Sequence, residues 1–125
     1  MARSILVLED GAVLRKHLCR LLARRGFDVR GAGCVAEFLE AALDRPFDTV
    51  LLDGSLPDGD GLDAWALARG LQAGVEVFVL TAQNRGDVAP RADGLGIRTL
   101  LIKPVDLLAL VGAVDAGTGG AVPAN

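Results

Sequence analysis

The order in which apolar residues occur limits this chain more than any single residue does. Short, near-continuous apolar runs alternate with longer stretches whose apolar positions recur at helical spacing. Ser4 to Leu8 (SILVL) is the kind of run that a strand buried on both faces of a parallel sheet requires. Val13 to Arg24 follows, with Val13, Leu14, Leu18, Leu21 and Leu22 at helical spacing and Arg15, Lys16, Arg20 and Arg24 on the other face. Gly26 is placed to close that helix in the left-handed conformation that glycine adopts best. Phe27 to Ala32 reads as a weaker second strand, Cys34 to Leu43 as a second helix, and Thr49 to Leu52 as a third strand ending at Asp53. A turn-rich segment, 54–61, leads into a third helix from Leu62 to Leu71. Val75 to Leu80 and Arg98 to Ile102 read as the fourth and fifth strands, and Val105 to Asp115 as the last helix. Repeated right-handed crossovers of this kind predict an α/β fold, a doubly wound parallel sheet of five strands flanked by helices.

One stretch interrupts the alternation. Gln83 to Ile97 contains Gly86, Pro90, Gly94 and Gly96, residues that weaken a helix interior, so a short or distorted fourth helix is expected there. The expected domain spans residues 1–115. Residues 116–125 (AGTGGAVPAN) read as a flexible tail or the start of a linker.

Composition narrows the function. The chain is 51% hydrophobic, enough to build a core, yet it has only four Phe, one Trp and no Tyr, so the core must rest on aliphatic side chains. Thirteen basic against sixteen acidic residues argue against direct binding to nucleic acid, which needs a basic patch to displace counterions. Cys19 and Cys34 lack the spacing of a metal or redox pair and are expected to be buried, reduced thiols. The N-terminal apolar run is too short for a signal peptide, and the stretch Leu107 to Val114 is too short for a membrane span; a soluble protein of the cytoplasm is expected.

In an open α/β sheet, functional groups collect where the strands end at their carboxyl edge. There the sequence has Glu9 and Asp10 at the first strand, Asp53 at the third, Thr81 at the fourth and Lys103 at the fifth. Three crowded carboxylates call for a cation, and Mg²⁺ suits an all-oxygen site that keeps places for water or a phosphoryl oxygen. An Asp nucleophile, a metal, an ammonium and a hydroxyl together are the parts needed to make and hold an aspartyl phosphate.

With these parts in place the sequence resembles the response-regulator receiver family of two-component signalling, up to about residue 115. The resemblance rests on LVLEDG at 6–11, VLLDGSLPDGDG at 50–61, VLTA at 79–82 and LLIKP at 100–104, in that order. It implies a flavodoxin-like receiver fold with strand order 2-1-3-4-5. By the same resemblance Asp53 is the phospho-acceptor, with Mg²⁺ held by Glu9, Asp10, Asp53 and the backbone carbonyl of Ser55. Thr81 is the switch hydroxyl, Ala82 the small residue that leaves it access, and Lys103 the partner of the acceptor or phosphoryl oxygens. The Lys103–Pro104 bond is expected to be cis, and Ser55 and Gln83 occupy the positions that tune phosphoryl lifetime. A histidine kinase or histidine phosphotransfer protein is the implied phosphoryl source, and the chain is not expected to be an enzyme beyond slow self-dephosphorylation.

The sequence departs from the family pattern in places. Glu9 stands where many relatives have Asp, Leu100 where the family usually has a Tyr or Phe that moves with the Thr, and Val105 where a Phe is common. A degenerate receiver that signals through phosphorylation-independent contacts is therefore the alternative function. A haloacid-dehalogenase-type phosphatase also uses a strand-end Asp, but has a second Asp two residues on, where this chain has Ser55. His17 and its basic neighbours read as exposed surface, and Trp65 as third-helix packing. Asp58 and Asp60 read as loop or helix-capping residues. In the last helix Leu107, Leu110, Val111 and Val114 form the core stripe; Leu108 lies off it, an apolar spot for a partner or a weak homodimer contact.

Overall fold

The computed structural model describes residues 3–53, 60–72, 74–81, 86–97, 99–104 and 106–116. Ser55, Asp58, Ala82, Gln83, Val105 and the segment 117–125 lie outside the described residues. Five strands, β1 (Ser4–Leu8), β2 (Asp28–Ala32), β3 (Thr49–Asp53), β4 (Glu76–Thr81) and β5 (Thr99–Ile102), form one parallel sheet in the order β2-β1-β3-β4-β5. Five helices connect or follow them: α1 (Ala12–Arg24), α2 (Val35–Asp44), α3 (Gly61–Ala68), α4 (Val88–Gly94) and α5 (Leu107–Ala116). The architecture and strand order are those expected, with element ends displaced by at most three residues.

Both faces of the central strands are buried because both receive helices. Leu6, Leu8, Val50, Leu52, Val77 and Val79 face the α2–α3–α4 side, where they meet Phe38, Leu62, Trp65, Val88 and Ala92. Their neighbours Ile5, Val7, Leu51, Phe78 and Leu80 face the other way, onto Leu18, Leu22, Leu110, Val111 and Val114 of α1 and α5. Period-two alternation thus divides one apolar run between two cores. Trp65 belongs to the first of them, as expected, and α5 buries Leu110, Val111 and Val114 of the expected stripe, with Leu107 half-buried and Leu108 63% exposed.

Three details depart from the sequence reading. Val13, expected in the buried stripe of α1, is 83% exposed: it shares its helix face with His17, Arg20 and Arg24, all exposed, and so points away from the sheet. Cys19 and Cys34 are free but half-buried rather than buried, Cys34 because it precedes α2 in extended conformation. The third helix closes at Ala68, and Arg69–Leu71 continue as one tighter turn.

The interrupted stretch does form a short helix. Pro90 is the third residue of α4, where its missing N–H would have had no intrahelical partner in any case. Gly26 and Gly96 each follow a helix with φ of 92° and 75°, the left-handed turn that lets the chain re-enter the sheet.

Gln72 is a buried polar residue that the sequence did not single out. Its Nε2 donates to the carbonyls of Ala42 and Arg45, each at 2.8 Å, and its Oε1 accepts from Phe47 N–H at 2.8 Å. It therefore satisfies the chain as it leaves α2 and approaches β3. Gln72→Leu is expected to destabilise the protein by about 2 kcal/mol, because buried backbone groups lose their partners. Urea unfolding should show a lower midpoint with an unchanged slope.

Candidate functional site

Parallel pairing brings all strand C-termini to one edge, and the register sets their heights. Leu8 lies opposite Leu52, so Glu9 stands level with Asp53; Asp53 pairs with Leu80, and Thr81 with Ile102. Lys103 follows at once, its N–H bonded to the Thr81 carbonyl at 2.8 Å. The sheet thus delivers Glu9, Asp10, Asp53, Thr81 and Lys103 to one place, as the strand-end reading expected. Asp53 and Thr81 are the last residues of their strands rather than the first beyond them.

Carboxylate oxygens of Glu9, Asp10 and Asp53 all lie within 4.8 Å of one another, with Glu9 and Asp53 buried and Asp10 exposed. The Lys103 ammonium reaches Asp53 Oδ1 at 3.3 Å. Glu9 Oε2 accepts the Gly11 N–H at 2.9 Å, but its Oε1 is buried without a hydrogen-bond partner among the described residues. Burial pushes the Glu9 carboxyl up to about 7. The Gly11 N–H opposes that rise, Asp53 and Asp10 add to it, and Lys103 pulls weakly the other way.

A buried carboxylate oxygen with no donor, in a cluster of three acids, is costly as it stands. A small hard cation would satisfy it. The donors present are all oxygens on three converging side chains, a set that fits Mg²⁺. The backbone carbonyl of Ser55, expected as a further ligand, lies outside the described residues.

Around this cluster, Thr81 is buried at the end of β4. Leu100 is half-buried and packs against the α2–α3–α4 core. The Lys103–Pro104 bond is cis, as expected. Asp60 caps α3, its Oδ1 accepting Leu62 N–H at 2.7 Å, which is the capping role expected of it. It also pairs with Arg91 of α4 at 2.8 Å, a tie the sequence did not disclose, and Arg91 reaches Asp63 at 2.8 Å as well. Burial pushes the Asp60 carboxyl upward, but the Arg91 guanidinium and the Leu62 N–H outweigh it and hold the group below its usual value. Arg15, read as part of a solvated basic face, is instead half-buried and turned toward the β1–α1 segment. The signal that would have found it is the pair of glycines, Gly31 and Gly33, that make room for it.

A parallel sheet covered by helices on both faces, with an acidic cluster and a lysine at its carboxyl edge, defines a class of small switch domains. The family described as "Response regulator receiver domain" matches residues 5–115, and the chain belongs to it. Curated relatives include the swarming motility regulation protein RssB of Serratia marcescens, 34% identical over 90% of this chain and 52% of its own. Another is the DNA-binding transcriptional regulator NtrC of Azospirillum brasilense, 31% identical over 98% of this chain and 25% of its own. The chain therefore spans about half the length of the first and a quarter of the second. Among solved structures, a CheY-like receiver domain from Methanospirillum hungatei superposes with a TM-score of 0.87 at 21% identity, covering 94% of both chains. A response regulator from Burkholderia pseudomallei, solved with a phosphorylated aspartic acid, a calcium ion and citrate, gives 0.79 at 29% identity, covering 92% of this chain and 72% of that one. Among the described residues no helix is long and apolar enough to cross a membrane.

Proposed function

We propose that this receiver domain accepts a phosphoryl group on Asp53, from a histidine kinase or a histidine phosphotransfer protein, and so switches a protein-interaction surface. The observation that carries the reading is the Lys103 ammonium 3.3 Å from Asp53, beside two further carboxylates, of which one has a buried oxygen without a donor among the described residues. The Burkholderia relative, solved with a phosphorylated aspartic acid and a calcium ion, supports it.

Glu9, Asp10 and Asp53 would hold Mg²⁺, with the Ser55 carbonyl, and Mg²⁺ when bound neutralises charge on phosphoryl oxygens. An Asp53 carboxylate oxygen forms a bond to phosphorus as the donor's P–N bond breaks, and the bonding pair leaves with the imidazole. The product is an acyl phosphate. Lys103, already paired to Asp53, offers its ammonium to the transferred group, and Thr81 brings a hydroxyl to the same edge. Ala82 would leave that hydroxyl access, Ser55 and Gln83 would tune how long the acyl phosphate lasts, and Pro104 would set the course of the chain after Lys103. The domain acts as a regulator rather than as an enzyme. We assign the receiver to residues 1–115, with 116–125 a tail or linker, and place the protein in the cytoplasm.

Leu100 favours one second reading. A half-buried aliphatic side chain packed against the core, where the family usually has a mobile aromatic, suits a degenerate receiver that signals without phosphorylation. Incubation with a small acyl phosphate and Mg²⁺, followed by intact-mass spectrometry, separates the two. A metal-dependent gain of one phosphoryl group in the wild type, absent in Asp53→Asn, supports phosphorylation. Absence of any adduct, with Mg²⁺ shown to bind and a stable phosphoryl mimic failing to alter the protein, leaves the degenerate receiver.

A further inference from the structure

Arg15 sits on the inner side of the first turn of α1, and its surroundings are built for it. Its Nη1 donates to the Glu9 carbonyl at 2.8 Å and approaches the Asp10 carbonyl at 3.5 Å. Its own backbone N–H donates to the Gly11 carbonyl at 2.8 Å. Gly11 N–H in turn donates to Glu9 Oε2 at 2.9 Å. The segment 9–15 is thereby closed on itself, with Arg15 holding the peptide groups of the two residues whose carboxylates face Asp53.

The far side of the slot is made by β2 and its exit. A Cβ added at Gly31 would lie 3.3 Å from both Arg15 Cδ and Cys19 Sγ. One added at Gly33 would lie 2.8 Å from Arg15 Nη1 and 3.2 Å from Cζ, with Glu37 Oε1 at 3.3 Å. Gly33 is not among the glycines with positive φ, so its missing side chain answers to space rather than to backbone conformation. The two glycines leave the volume that the arginine stem and guanidinium fill.

We propose that Arg15 is a positioning residue for the acidic cluster: by fixing the Glu9 and Asp10 carbonyls it aims their carboxylates and sets the affinity of the site for a divalent cation. The inference rests on the reading of Glu9, Asp10 and Asp53 as the Mg²⁺ ligands. An exposed arginine would be replaceable by any polar residue. This one supplies a planar donor to two carbonyls and a stem packed against glycine, which lysine matches only in part.

The test is a two-by-two cycle of Arg15→Met and Gly33→Ala, read as the Mg²⁺ dissociation constant by titration calorimetry. Metal-free thermal unfolding is measured alongside, and Arg15→Lys serves as the conservative variant. Gly33→Ala leaves Arg15 in the chain but displaces its guanidinium, so it imitates Arg15→Met without touching a ligand. Each single variant is expected to weaken Mg²⁺ binding about tenfold, the low end for groups that orient metal ligands. The double variant is expected to be no weaker than Arg15→Met, because the added methyl has nothing left to displace. Arg15→Lys should fall between. Metal-free unfolding temperatures should stay close to that of the wild type. Unchanged affinity in both single variants, or a double variant whose losses simply add, overturns the role of Arg15 while leaving the metal site standing. A wild type that binds no Mg²⁺ overturns the metal reading and the proposal with it.

Discussion

With Asp53 replaced by Asn, the phosphoryl adduct should disappear and the metal-free protein should nevertheless unfold at a higher temperature than the wild type. The first half follows from the nucleophile, since an amide oxygen does not form a stable acyl phosphate and no other carboxylate in the cluster is paired with Lys103. The second follows from crowding. Asp53 and Glu9 are both buried, and their oxygens lie within 4.8 Å of each other and of Asp10. Removing one charge relieves desolvation and repulsion, and the loss of the Lys103 pair offsets only part of this because the lysine is 38% exposed. A net gain of about 1 kcal/mol, roughly 4 °C for a chain of this size, is expected by scanning calorimetry in chelator. An adduct that persists on the Asn variant would move the acceptor elsewhere. A lower unfolding temperature would mean that the Lys103 attraction outweighs the crowding.

The second large effect is a pH dependence that Mg²⁺ reverses. A Glu9 carboxyl raised from 4.5 to about 7 binds its proton more tightly in the folded chain than in the unfolded one. The stabilisation from that proton is complete below about 4.5 and is lost as pH climbs to about 7. In chelator, therefore, stability should fall across that window on account of Glu9. Mg²⁺ needs the ionised carboxylate, so its affinity should rise over the same window, with release of a proton on binding near neutral pH. At pH 8 and a hundredfold excess over its dissociation constant, the cation should add about 2.7 kcal/mol, or roughly 10 °C. Unfolding curves at pH 5, 6, 7 and 8, with and without Mg²⁺, give both slopes. A Mg²⁺ stabilisation that does not change between pH 5 and 8 would show that Glu9 is ionised throughout.

The sheet and the cluster at its edge were legible because each rests on a local signal. Apolar runs such as SILVL announce strands buried on both faces, and strand ends then locate Glu9, Asp53, Thr81 and Lys103 without further information. Side-chain ties between distant segments were not legible. Arg15 stands three and seven residues before the buried Leu18 and Leu22, at the edge of the inward face, but its charge makes it read as solvated, and the neighbourhood of Gly31 and Gly33 shows what receives it. Gln72 and Arg91 escaped for the same reason: the partners that tie them to other elements lie 25 or more residues away, and polar side chains carry no periodic signature. Val13 failed in the opposite sense: its apolar character draws it into the buried stripe, although it shares its helix face with the exposed His17, Arg20 and Arg24.

At the foot of the sheet, Ser4 N–H donates to Asp48 Oδ2 at 2.8 Å and Asp48 N–H to the Ser4 carbonyl at 3.1 Å, which aligns the beginnings of β1 and β3. From Ser4 to Glu9 and from Asp48 to Asp53 the chain advances by the same number of residues. The two buried acids are thus levelled by equal arm lengths measured from a hydrogen-bonded pair at the opposite edge. Inserting one residue into either strand would lift its acid by about 3.3 Å and turn it to the other face of the sheet. Strand length is therefore a quantised parameter of the site, tolerant of change only if both arms change together.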